Sequence, residues 1–119
     1  MRDHRKLRAF ELADQVALAV YKATRAFPRD EMFGLTSQMR RAAVSVASNI
    51  VEGCARNSKA DYLRFLDMAF GSARELDYQL TLANRLGYIA QPKGTELAAL
   101  SEESLKVLNG LLRSLRSDS

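Results

Sequence analysis

Six polar side chains, Gln38, Arg41, Ser45, Asn49, Glu52 and Arg56, recur at steps of three and four, the spacing that aligns them on one side of a helix. Amides, hydroxyls and charges in such a line suit acid–base catalysis, cation binding or a polar contact between helices. The partners that catalysis needs are sparse. His4 is the only histidine and stands near the start of the chain, while Cys54 is the only cysteine and has no histidine near it in sequence to generate a thiolate. No GxxxxGK or GxGxxG loop is present to cradle a phosphate. Glu52, Asp67 and Glu75 offer carboxylates to a hard cation, but arginines are predicted to face them, and the Glu-x-x-His pairs of di-metal bundles are absent. The residues predict no catalytic centre, no metal site and no cofactor.

The basic residues are the stronger lead. Of 18 basic side chains, thirteen are arginine, and the net charge is +4. A planar guanidinium fork matches phosphate geometry, so the composition points toward a polyanion. Arg2, Arg5, Lys6 and Arg8 form an N-terminal cluster, and Arg40, Arg56, Lys59, Arg113 and Arg116 are expected outside the core. These nine are the candidate phosphate contacts, able to release counterions from RNA or DNA. Neither a base-stacking aromatic signature nor a helix-turn-helix recognition unit accompanies them. The same charges are compatible with a protein–protein adaptor whose basic surface serves only solubility.

Four helices must position these groups. Proline and glycine punctuate the chain at Pro28, Gly34, Gly53, Gly87 and Pro92. Between them, apolar residues at helical spacing predict helices over about 7–27, 35–56, 59–86 and 92–116. The expected core stripes are Phe10, Ala13, Ala17, Val20, Tyr21, Thr24 and Phe27 in the first; Leu35, Met39, Ala42, Ala43, Val46 and Ile50 in the second; Tyr62, Phe65, Leu66, Ala69, Ala73, Leu76, Leu80 and Ala83 in the third; and Leu97, Leu100, Leu105, Leu108, Leu112 and Leu115 in the fourth. Thr36 or Ser37 is expected to cap the second helix and Ser58 the third, with Gly87 closing it at positive φ. The first handful of residues and the last few are expected to fray.

Short connectors between such helices make antiparallel neighbours, an all-α, up-down-up-down four-helix bundle filling 1–119 as one domain. No apolar run reaches the ~20 residues that span a bilayer, and the start lacks a signal-peptide core. No membrane association and a cytoplasmic location are therefore expected.

The third helix is apolar on a second side. Arg64, Met68, Gly71, Glu75, Tyr78 and Leu82 form this outer line, and a helix with two seams is usually covered on both. With Gln38, Arg41, Ser45, Asn49, Glu52 and Ser72 it defines a candidate polar network or homo-oligomer seam. The alternative is a scatter of exposed apolar residues, which soluble proteins tolerate. A hairpin turning near residues 54–58 would bring Arg41 near Glu75, Ser45 near Gly71 and Ser72, Asn49 near Asp67, and Glu52 near Arg64. Small residues on both helices would then desolvate those pairs.

Several of these residues carry a resemblance. The stretch Phe27-Pro28-Arg29-Asp30-Glu31-Met32-Phe33-Gly34-Leu35, the run Asn49-Ile50-Val51-Glu52-Gly53, and Gly71-Ser72-Ala73-Arg74-Glu75-Leu76 resemble the bacterial four-helix-bundle proteins named for the intervening sequence of 23S ribosomal RNA. The resemblance covers nearly the whole chain. It implies a cytosolic bundle that assembles into a homopentamer, and relatives include a retroelement accessory protein that binds nucleic acid and a reverse transcriptase. Phe10, Phe33 and Val51 stand where relatives often carry tryptophan, tyrosine and alanine, which alters packing volume more than chemistry.

Overall fold

A computed structural model describes residues 2–118. Its helices are α1 (Arg8–Thr24), α2 (Leu35–Cys54), α3 (Lys59–Arg85) and α4 (Lys93–Ser117), with single 3-10 turns at His4–Lys6 and Arg29–Glu31. Each helix packs on the next in chain order and α4 closes back on α1. The result is an all-α four-helix bundle of 46 × 24 × 20 Å, and no strand occurs among the described residues.

Local chemistry sets the ends. Ser58 accepts the Asp61 N–H at 3.1 Å and starts α3. Gly87, at φ +75°, ends it in a Schellman motif, with Tyr88 N–H donating to Ala83 O and Gly87 N–H to Asn84 O. The start of α2 departs from expectation. Thr36 is buried rather than capping, and Glu31 in the preceding turn reaches forward so that its Oε1 accepts the Leu35 N–H at 3.1 Å.

The expected fraying at the N terminus is also corrected. From Arg2 onward the segment is docked, because the carbonyls left over at the end of α2 accept its donors. Arg2 N–H donates to Cys54 O, Arg2 Nη1 to Arg56 O, both at 3.1 Å, and its guanidinium lies 3.9 Å from the centre of the Tyr62 ring. Asp3 caps the 3-10 turn through the Arg5 N–H. At the other terminus α4 stays helical to Ser117.

The core follows the expected stripes unevenly. All eight positions named on α3 are buried, whereas on α1 Leu12 and Val16 are buried and Tyr21 is exposed. Tyr21 lies at the α1–α2 edge beneath the Arg40 guanidinium, an arrangement that suits an aromatic with a polar tip. On α4, Leu97, Leu108 and Leu112 are buried, but Ser101 and Ser104 share the stripe while Leu100, Leu105 and Leu115 are half-buried. Small hydroxyls permit close helix approach there, and Ser101 Oγ donates to Asp77 Oδ1 at 3.3 Å. Fully buried Leu66, Leu76 and Leu80 each contribute roughly 1.5–3 kcal/mol of transfer free energy. A void of about 10 Å³ lies among Ala13, Val46, Ala73 and Ser104.

Candidate self-association and nucleic-acid surfaces

The α2–α3 pair has the most extensive packing in the molecule. Gly53 makes this possible at the hairpin end: a Cβ there would stand 2.9 Å from Phe65 Cβ. Midway along the pair, Ser45 Oγ and Ser72 Oγ are hydrogen-bonded at 2.9 Å, the juxtaposition expected from the hairpin. Asn49 Nδ2 buttresses it, donating to Ser45 O at 2.9 Å and to Ser45 Oγ at 3.0 Å.

The charged residues of the line behave differently from expectation. Glu52 pairs with Arg56 at 2.9 Å, Arg64 with Asp61 at 3.5 Å, and Arg41 donates to Gln38. Each partner lies three or four residues away on the same helix, where little side-chain ordering is needed. Asp67 is engaged by Arg116 of α4 rather than by Asn49. Arg41, Glu52, Arg64, Asp67 and Glu75 are all exposed, so the chain by itself does not desolvate them.

Met68, Gly71, Glu75 and Tyr78 face outward and are exposed, with Leu82 half-buried beside them. Gly71 is the informative member. It sits in the middle of α3, and a Cβ added to it would meet nothing within 4 Å. A mid-helix glycine costs about 1 kcal/mol relative to alanine, and no contact among the described residues requires it.

The nine nominated cations fall mostly at the end of the bundle where α1 and α3 begin, and most are engaged there. Arg5 is clamped by Asp3 at 2.9 Å, Arg8 by Glu11 and by Glu103, Arg56 by Glu52 and Arg116 by Asp67. Arg2 caps α2. Arg40, on α2 toward the other end, donates to Thr24 Oγ1 at 2.8 Å. Lys6 and Arg113 are exposed and Lys59 half-buried.

A second group of cations has no counterpart among the sequence-based candidates. Lys22, Arg25, Arg29, Arg85 and Lys93 are exposed at the opposite end and make no ion pair among the described residues. Their signal lay in position: Lys22 and Arg85 occupy the last turns of α1 and α3 and Arg25 is the C-cap of α1, where the helix dipole favours cations. Asp30 and Glu96 share this end. Glu31 does too, but it is committed to Leu35 and to Tyr88, whose hydroxyl donates to Oε2 at 2.9 Å.

Cys54 and His4 are structural in their surroundings. Burial pushes the Cys54 thiol above its ordinary range, which disfavours a thiolate, and the buried Tyr62 hydroxyl beside it is pushed up to about 12. The His4 ring meets Phe10 edge-on at 4.7 Å. No three His, Cys, Asp or Glu side chains gather around a possible metal position among the described residues. None of the described helices is long and apolar enough to cross a membrane.

Comparison with known proteins places this architecture. A crystal structure from Bacteroides thetaiotaomicron, described as a protein of unknown function from the S23 ribosomal protein family, is similar over 87% of this chain and 97% of its own. The sequence identity is 25% and the TM-score 0.77. No curated protein matches significantly. Residues 5–110 match the family model described as 23S rRNA-intervening sequence protein, and with a four-helix fold to accompany that match, the chain belongs to this family.

Proposed function

We propose that the protein is a non-enzymatic homo-oligomer that binds nucleic acid, RNA or DNA, or an enzyme acting on it. The observation that carries the reading is the group of uncommitted cations at one end of the bundle: Arg25, Arg29 and Arg85, with Lys22 and Lys93 beside them. Cations already held by carboxylates gain little from a phosphate, whereas exposed unpaired ones release counterions on binding. The family description, which names 23S rRNA, is in keeping with that partner. Self-association through the outer face of α2 and α3 is supported by Gly71, whose missing side chain serves no contact among the described residues. Symmetry would then repeat the cationic end around the assembly.

A second reading, an oligomer or adaptor with no nucleic-acid role, draws on the carboxylates that neutralise Arg5, Arg8, Arg56 and Arg116. Fluorescence anisotropy of labelled structured RNA and duplex DNA over a salt series separates the two. Saturable binding that weakens steeply with salt supports the first. Absence of binding at low salt supports the second.

A further inference from the structure

Phe33 is 91% exposed and its neighbour Met32 52%. A single apolar side chain in water is ordinary on a protein surface; the setting of this one is not. Its turn, between the Arg29–Glu31 segment and α2, is held from behind by the bonds of Glu31 to the Leu35 N–H and the Tyr88 hydroxyl. The ring is therefore presented on a fixed support with its faces open to solvent. Uncommitted cations stand around it. Arg29 precedes it by four residues on the same turn, and Arg25 caps α1 just before that turn. The antiparallel register marked by the Ser45–Ser72 bond brings Leu82 level with Leu35 at the start of α2. Arg85 follows one helical turn further out, level with the Met32–Phe33 turn.

We infer that Phe33 is a stacking platform for an unpaired base of a bound nucleic acid, with Arg29 and Arg85 on the flanking phosphates; this deepens the nucleic-acid reading above and rests on it. Cations alone do not tell a single strand from a duplex, since both carry phosphates. An open ring does. In a duplex each base is already stacked inside the helix, whereas the bases of a single strand or loop are free to leave their neighbours and lie on an aromatic face. Every base has such a face, so the site selects pairing state rather than sequence. Asp30, exposed on the same turn, repels a phosphate placed directly over it, which leaves a neutral base as the group that fits there. Met32 beside the ring adds a polarisable apolar surface under the base edge.

The test is fluorescence anisotropy of wild type, Phe33→Ala and Phe33→Trp with four labelled probes of equal length: an RNA single strand, a DNA single strand, a blunt DNA duplex, and a DNA strand with abasic positions. Phe33 is exposed, so the substitutions leave the fold intact, checked by circular dichroism. The chain contains no tryptophan, so the indole introduced by Phe33→Trp is a lone reporter. Phe33→Ala is expected to bind a single strand roughly five- to 150-fold more weakly, with an unchanged salt slope because no phosphate contact is lost. Duplex and abasic probes should bind wild type and Phe33→Ala alike. Phe33→Trp should restore single-strand affinity, and its fluorescence should be quenched by a single strand but not by the abasic probe. Whichever strand, RNA or DNA, shows this pattern is the source of the base. Single-strand binding that survives Phe33→Ala overturns the platform and leaves the nucleic-acid reading standing. Equal weakening on all four probes, or a lower sedimentation mass of Phe33→Ala, overturns it as well, the latter giving the ring to another copy of the chain. No binding of any probe by the wild type at low salt overturns both readings.

Discussion

Glu31 joins two parts of the bundle end: one carboxylate oxygen accepts the Leu35 N–H at 3.1 Å and the other the Tyr88 hydroxyl at 2.9 Å. A residue from the 3-10 turn thus starts α2 and fastens the α3–α4 connection beside it. Tyr88 in turn packs on Phe27, ring centres 5.3 Å apart.

This arrangement has a pH signature. The Leu35 N–H, and then the Tyr88 hydroxyl, hold the Glu31 carboxyl below its ordinary 4.5. A depressed folded value contributes stability that is complete above the unfolded value and is lost as pH falls through the folded one. Glu31→Gln should therefore melt below the wild type at neutral pH, and the gap should close on acidification below 4.5. Thermal unfolding of both proteins over that range is the check; a gap independent of pH contradicts the assignment.

Two glycines should respond in opposite ways. Gly53→Ala forces a Cβ against Phe65 and should destabilise the fold by about 1–3 kcal/mol as overpacking does. Gly71→Ala meets open space and should raise the intrinsic stability of α3 by up to about 1 kcal/mol. Gly71→Leu should keep the fold and lower the association state. Urea unfolding and sedimentation read the two effects separately.

The Ser45–Ser72 bond is half-buried and spans two helices. Ser45→Ala or Ser72→Ala alone should cost about 0.5–1.5 kcal/mol, and the double variant less than the sum. Strict additivity in a double-mutant cycle would show that the hydroxyls do not interact.

How legible the fold is in the sequence varies by helix, for physical reasons. On α3 the apolar stripe is unbroken, and every named core position is buried. On α1 the aromatics Phe10 and Tyr21 draw the stripe away from Leu12 and Val16, although the polar tip of Tyr21 suits it to the bundle edge and Phe10 is only half-buried. On α4 the leucines mask Ser101 and Ser104, whose small size counts for more than polarity where helices approach closely. The hairpin register is readable from small residues, which is why the sequence anticipates Ser45–Ser72. The ion pairs are not readable in this way, because near neighbours on one helix compete with cross-helix partners, and because Asp67–Arg116 depends on α4 lying beside α3. The same blindness hides the unpaired cations of the other end.

On the proposed function, nucleic acid is expected to meet the end carrying uncommitted arginines. Two triple variants remove equal charge: Arg25, Arg29 and Arg85 to Ser at that end, and Arg5, Arg8 and Arg116 to Ser at the carboxylate-paired end. Anisotropy with labelled structured RNA, titrated at several salt concentrations, compares them. The first variant is predicted to bind more weakly, with a salt slope reduced by about 0.7 to 0.9 for each phosphate left without its arginine, while the second stays close to wild type. Equal weakening in both variants, or full binding by the first with weakening of the second, would contradict it.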